Sequence, residues 1–312
     1  MRIRRRDSSS TVEYVREMLT MSDGATVSLD WCDGSMEASD STVRPVILVL
    51  SGVGGSSQEH HIRALAQHLV RSLKACVVVV NHRGTAGTPI TAPRPYDVGF
   101  TDDVRAAIAH IGAKFPQAKL AAVGFSMGAN VLTKYMGEEG MRCPLACAVI
   151  VCCPFDIVVS GAAMDESNVL NNHVFQPAVM STLMRAIKRA QHLELKPEWN
   201  VDIGRIRTAK RLSVLEDELL VKINGYRDRE EYYVRSSSAR FVEHITVPLL
   251  AINSLDDRIT PPQGIPVHKF MKNPNVALAL VPHGGHLGFL TGIPPRIWFI
   301  KPIGEFIAAI IK

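Results

Sequence analysis

No apolar run in these 312 residues reaches the roughly 18 that a membrane-spanning helix requires. No Cys-x-x-Cys pair occurs among the six cysteines at 32, 76, 143, 147, 152 and 153, so a zinc ribbon or a dithiol redox motif lacks its ligands. Several of these cysteines lie inside apolar runs, which reads them as reduced, buried, small hydrophobes of a cytosolic-type environment. The Gly-Lys-Ser/Thr ending of a phosphate loop is missing from the glycine-rich stretch "SGVGGSS". No apolar core follows the basic start "MRIRRRDSSS", so it is not a secretory signal. Net charge is only +5, and beyond the first residues Lys and Arg are not massed in one block, so nucleic acid is not the expected partner.

What remains has the composition of an ordinary globular protein, with 46% apolar and 21% charged residues. The length suits one large domain with an insertion, or two domains. Arg2, Arg4, Arg5 and Arg6 read as a frayed, solvated terminus, with contact to anionic lipid or a weak organellar presequence as the alternatives.

"TVEYVREMLTM" and "ATVSLDW" flank Ser22-Asp23-Gly24 and predict a hairpin. Continuous apolar runs follow at 46–50, 75–80, 119–124 and 145–153, then at 247–254 and 276–281. Runs apolar on both faces belong to parallel sheets covered by helices on either side. Amphipathic stretches separate them, and Thr101 is expected to cap the second, with Asp102 and Asp103 in its first turn. The predicted fold is a doubly wound, mostly parallel α/β sheet. Residues 155–245 hold helical patterns and no strong strand, which predicts a core of 1–154 and 246–312 with a helical cap at 155–245. Met180, Leu183, Met184 and Ile187 are read as the core of that cap.

The pattern Gly124-Phe125-Ser126-Met127-Gly128 arises by chance about one time in ten in a chain of this length. Its context is what makes it informative. It ends one apolar strand and opens a helix, which is the setting of a nucleophile elbow. A serine hydroxyl needs a base to take its proton and a carboxylate to orient that base. "LDDRITPP" and "PHGGHLGF" each follow a later strand and supply both in the order Ser, Asp, His. Asp257 is preferred to Asp256 because Thr260-Pro261 follows it at the spacing of hydrolase acid loops, and Asp256 is read as a turn former. His286 is preferred to His283, which is expected to support the loop. A metal site at this pair lacks a third ligand at a suitable spacing. Backbone amides of Met127 and Val53 are the expected oxyanion donors. Asn81, His82 and Arg83 are read as a turn near the site, with Arg83 paired to an acid.

Together "SGVGGSSQEHHIRALA", "VNHRGTAGTPITAPRPYDVGFTDDVRAAIAHI", "AAVGFSMGANVLTKYMGEEG", "PLLAINSLDDRITPP" and "VPHGGHLGFL" resemble the α/β-hydrolase branch that holds animal abhydrolase domain-containing proteins one to three and their bacterial and yeast relatives. The likeness runs over nearly the whole chain. It implies an α/β-hydrolase fold, a serine esterase or lipase acting on acylglycerols, phospholipids or medium-chain esters, and, carried over by position, the triad Ser126, Asp257 and His286. It implies no cofactor. Some yeast members transfer the acyl group to an alcohol, so acyl transfer is a second reading, and a non-catalytic binding protein is a third. Ser51 departs from the His or Pro common in relatives, and the amino-terminal membrane anchor of animal members has no counterpart in this sequence. The expectation is therefore a cytoplasmic protein that can contact a membrane surface peripherally, with a cap that shapes an apolar acyl pocket.

Overall fold

The apolar runs take their places in one sheet, in a computed structural model that describes residues 12–32, 44–189 and 195–311. The strands are β1 Tyr14–Thr20, β2 Thr26–Cys32, β3 Val46–Leu50, β4 Cys76–Asn81, β5 Leu120–Phe125, β6 Leu145–Val151, β7 Leu249–Ser254 and β8 Val276–Val281. Their order is β1-β2-β4-β3-β5-β6-β7-β8. β1 and β2 pair antiparallel, as do β2 and β4, and every pairing from β4 to β8 is parallel. The chain therefore steps to one side of β3 for β4 and to the other for β5. That reversal opens a crevice beyond the carboxyl ends of β3 and β5, where open α/β sheets place their ligands.

Side-chain alternation explains why both faces are covered. Leu48 and Leu50 face one buried cluster with helices α2, Asp102–Lys114, and α3, Met127–Glu139. Ile47 and Val49 face the other cluster, with helix α1, His60–Leu73, and the terminal helix Ile300–Ile311. α1 buries Ile62, Leu65, Ala66 and Leu69, one stripe at helical spacing. Pro302 sits in the first turn of the terminal helix, where a missing amide costs no hydrogen bond.

Three local expectations change. β8 is the sheet edge, and its Leu280 is 40% exposed, so this run is not covered on both faces. Thr101 does stand at the start of α2, but its hydroxyl makes no cap; it donates to Glu138 Oε2 at 2.6 Å. Asp103 does more than complement the helix dipole. It is buried and takes a two-point grip on the Arg83 guanidinium at 2.7 and 2.6 Å, while Asp23 takes Arg83 Nη1 at 2.6 Å. The acid expected for Arg83 is thus two acids, and they tie the β1–β2 turn to α2.

Between β6 and β7 the described residues form helices alone, called the cap below. Helix α4 covers Ile157–Asp165, with Asp156 accepting the Val158 and Val159 amides, and α5 covers Gln176–Arg189. Met180 is buried with Ile206 and Leu215, and Leu183, Met184 and Ile187 pack against them. Deeper in the cap the Tyr233 hydroxyl donates to buried Glu216 at 2.5 Å. Burial pushes the Glu216 carboxyl up to about 8. No helix among the described residues is long and apolar enough to cross a membrane. The readings of Arg2, Arg4, Arg5 and Arg6 lie outside the described residues.

Candidate active site

β5 ends at Phe125 and α3 begins at Met127, so Ser126 alone makes the bend. Its φ of +51° is in a region that L-residues rarely adopt. The bend is held by the Ser126 amide on Val151 O at 2.9 Å and by the Ala129 amide on Ser126 O at 2.9 Å. Both flanking glycines are required by contact. A Cβ on Gly124 would lie 2.7 Å from Gly128 O, and one on Gly128 would lie 2.6 Å from Ser51 O and 2.7 Å from Leu50 O. The motif is therefore the means by which α3 approaches β3 and β5 closely enough to present Ser126 at the crevice.

His286 arrives from the loop after β8 and Asp257 from the loop after β7. His286 Nε2 lies 2.8 Å from Ser126 Oγ, and His286 Nδ1 lies 2.8 Å from Asp257 Oδ2. A carboxylate only accepts, so Nδ1 carries the proton and Nε2 is left to accept from the Ser126 hydroxyl. Asp257 is buried and fully partnered. Oδ1 accepts the Ile259 and Thr260 amides at 2.8 and 3.0 Å, and Oδ2 also accepts the Thr260 hydroxyl at 2.6 Å. Burial alone would raise this carboxyl; the His286 ring and Thr260 outweigh it and hold it below the ordinary carboxylate value.

Asp256 turns outward and serves the backbone. Its Oδ1 accepts the amides of Gly284 and Gly285 at 3.0 and 2.8 Å, so it holds the histidine loop rather than the ring. His283 is almost fully exposed and sits 3.5 Å from Asp256. Two further groups fix the residue before His286: Ser254 Oγ donates to Gly285 O at 2.9 Å, and Cys152 Sγ lies 3.7 Å from the same oxygen. Sequence reasoning used Thr260 only as a spacing mark for Asp257 and missed its hydrogen bonds to that carboxylate, and it missed Ser254 and Cys152, whose contacts with the histidine loop join residues far apart in the chain.

The ligand atoms of Cys152, Asp257 and His286 lie within 4.8 Å of one another. Burial first, and then the Asp257 charge, push the Cys152 thiol well above its ordinary value. With Asp257 already saturated, the cluster is a neutral thiol packed under the histidine–carboxylate pair rather than a vacant metal cage. None of the six cysteines is in a disulfide, and five are buried.

On the other side of Ser126 lies the loop after β3. A Cβ on Gly52 would be 3.2 Å from Ser126 Cβ, which places the Gly52-Val53 backbone beside the hydroxyl. Among the described residues no hydrogen bond is donated by the Val53 or Met127 amide. The far end of the loop is pinned where Asn81 Oδ1 accepts the Ser57 amide at 2.9 Å, and its tip where the Gly54 amide donates to the Tyr96 hydroxyl at 3.0 Å. Tyr96 stacks on buried His82 with ring centroids 5.4 Å apart. Ser51 Oγ is buried without a hydrogen-bond partner among the described residues.

A mostly parallel sheet, a serine bend between strand and helix, and later acid and histidine loops define the α/β-hydrolase class of fold. A family model described as the alpha/beta hydrolase fold matches residues 45–293, and the chain belongs to that family. Named relatives share about a third of its residues. Mouse "Phospholipase ABHD3" is 31% identical over 309 residues, covering 98% of this chain and 74% of the relative. The Saccharomyces cerevisiae "Monoacylglycerol lipase" is 30% identical over 270 residues, covering 85% of this chain and 59% of the relative. Among solved structures, the Pyrococcus furiosus esterase Pf2001 superposes with a TM-score of 0.62 at 17% identity, covering 96% of this chain and 92% of that one, a likeness of fold.

Proposed function

We propose that this chain is a serine hydrolase that cleaves carboxylic esters of medium-chain or lipid type through an acyl-enzyme. The observation that carries the reading is the unbroken relay Ser126 Oγ, His286 Nε2, His286 Nδ1, Asp257 Oδ2, with 2.8 Å at each hydrogen bond. The relatives named as phospholipase and monoacylglycerol lipase support the ester class.

In the proposed reaction Ser126 Oγ attacks the ester carbonyl carbon while its proton passes to His286 Nε2. The carbonyl oxygen becomes an oxyanion facing the amides of Met127 and Val53, at the positive end of α3. Asp257 stays ionised and stabilises the imidazolium. His286 then protonates the alcohol oxygen as the carbon–oxygen bond breaks, leaving Ser126 acylated. In the second half water attacks the acyl carbon as its proton passes to His286 Nε2, and His286 returns that proton to Ser126 Oγ as the acyl–serine bond breaks and the acid leaves. The reading includes a cytoplasmic protein that meets lipid esters at a membrane surface.

A fluorophosphonate probe tests it, because such probes label only serines activated by a base. Labelling of the unaltered protein and none of Ser126→Ala is the expected result. Equal labelling of both, or none of either, overturns the proposal.

A further inference from the structure

The cap encloses an apolar cavity of about 610 Å³ against the loop that follows β4. Its walls include Ile90, Leu183, Ile187, Leu215 and Leu219, but none of Ser126, Asp257, His286 or the loop after β3. The expected apolar pocket therefore exists, set apart from the serine. Its volume is that of a small-molecule site.

The charges on this wall are unbalanced. Arg83, Arg94, Lys188 and Arg207 line the cavity, and no carboxylate does. Arg83 is neutralised by Asp103 and Asp23. Lys188 and Arg207 are exposed at the rim. Arg94 is different. Its guanidinium carbon sits 4.0 Å from the centroid of the Phe100 ring, and its Nε is buried without a hydrogen-bond partner among the described residues, while the residue as a whole is half-buried. The carboxylate that feels its charge, Asp97, is occupied elsewhere, accepting from the Gly99 amide at 2.8 Å and from Asn224 at 3.2 Å. A guanidinium held against an aromatic ring, on an apolar wall that carries no carboxylate, is a seat for a planar oxyanion.

An apolar chain of modest volume that ends in one planar negative charge meets both demands. We propose that this cavity binds a free fatty acid, with its carboxylate on Arg94 and its chain against α5 and the Leu212–Leu215 helix. A neutral ester or alcohol offers Arg94 no opposite charge, and a phosphate monoester brings a second charge that one guanidinium does not balance. The site is one ring away from the catalytic loop, because Tyr96 lines the cavity while its hydroxyl accepts the Gly54 amide. Binding here does not require Ser126 to be a nucleophile, so the proposal stands or falls apart from the ester hydrolysis proposed above.

The test is isothermal titration of the full chain carrying Ser126→Ala with myristate, tetradecanol and tetradecyl phosphate. Myristate is expected to bind about tenfold or more tighter than tetradecanol, the effect of a charge-assisted hydrogen bond. Adding Arg94→Gln removes that advantage and leaves tetradecanol affinity in place, which also shows that the variant is folded. Adding Ile187→Trp, which fills the cavity, weakens both ligands. Equal affinity for myristate and tetradecanol, or an unchanged myristate affinity in Arg94→Gln, overturns the anion site. Tetradecyl phosphate binding tenfold tighter than myristate overturns the assignment to a carboxylate.

Discussion

Replacing Asp257 by Asn changes almost no volume, yet it reverses the relay. Asp257 offers acceptors on both oxygens, whereas Asn has one oxygen and one NH2 donor. Oδ1 receives two backbone amides, so the Asn oxygen stays on that side and its NH2 faces the Thr260 hydroxyl and His286 Nδ1. Facing a donor, the imidazole moves its proton to Nε2. A protonated Nε2 points a hydrogen at Ser126 Oγ and cannot take the serine proton. A tautomer lock of this kind costs about 10⁴ in kcat in serine triads, or about 5.5 kcal/mol of barrier. KM should stay within about threefold, because Asp257 is buried beneath the histidine and offers no surface to substrate. Asp256→Asn is the matched control. Its oxygen can still accept the Gly284 and Gly285 amides, and kcat should fall by no more than about threefold. Initial rates on p-nitrophenyl butyrate, with circular dichroism to show intact folding, measure both. If Asp257→Asn keeps more than about a tenth of the activity, or if the two variants are equally impaired, the assignment of Asp257 as the orienting acid is wrong.

Gly128→Ala forces a Cβ against Ser51 O and Leu50 O, so α3 must lift from β3; the expected loss is about 1–3 kcal/mol in a urea melt, with kcat down about 10²-fold as Ser126 moves. Arg83→Gln leaves buried Asp103 without its guanidinium, and chemical denaturation should show a loss of about 3–5 kcal/mol. Glu216 links the cap to pH. Its folded value of about 8 stands above its ordinary 4.5, so its contribution to stability is full below about 4.5 and is lost as pH rises through 8. Thermal melts from pH 5 to 9 should show the unaltered protein losing stability relative to Glu216→Gln, by at most about 5 kcal/mol, and parallel curves would refute the coupling.

Much of the architecture is legible along the chain because buried parallel strands have no polar face to hide. The runs at Val46–Leu50 and Leu120–Phe125 read as strands covered on both faces, and the handover at Ser126 is marked by glycines whose Cβ positions are filled by backbone. Asp257 and His286 stand out through their order and the ends of the strands they follow, and the structure brings their side chains together with Ser126. Long-range partners are another matter. Thr101 looks like a cap, yet Glu138, 37 residues later, offers a stronger acceptor. Asp103 reads as a helix-start acid until Arg83 is seen beside it. The exposed face of Val276–Val281 follows from its place at the sheet edge, and the short pairing of Leu290–Thr291 with Arg296–Ile297 has too few residues to show periodicity. Tyr96 carried no signal at all, because its link to Gly54 spans 42 positions.

Gly54 has a φ of +65°, and a Cβ there would lie 2.0 Å from Thr182 Cγ2 on α5. Tyr96 grips the same residue from the other side. The helices of the cap are therefore not an accessory that can be exchanged freely for those of a relative. Positions 54 and 182 form a matched hole and peg, and a chimera that imports a bulkier side chain at either one would jam the turn beside Ser126 before any substrate arrived. Homologous recombination across this boundary should succeed only when the two positions travel together.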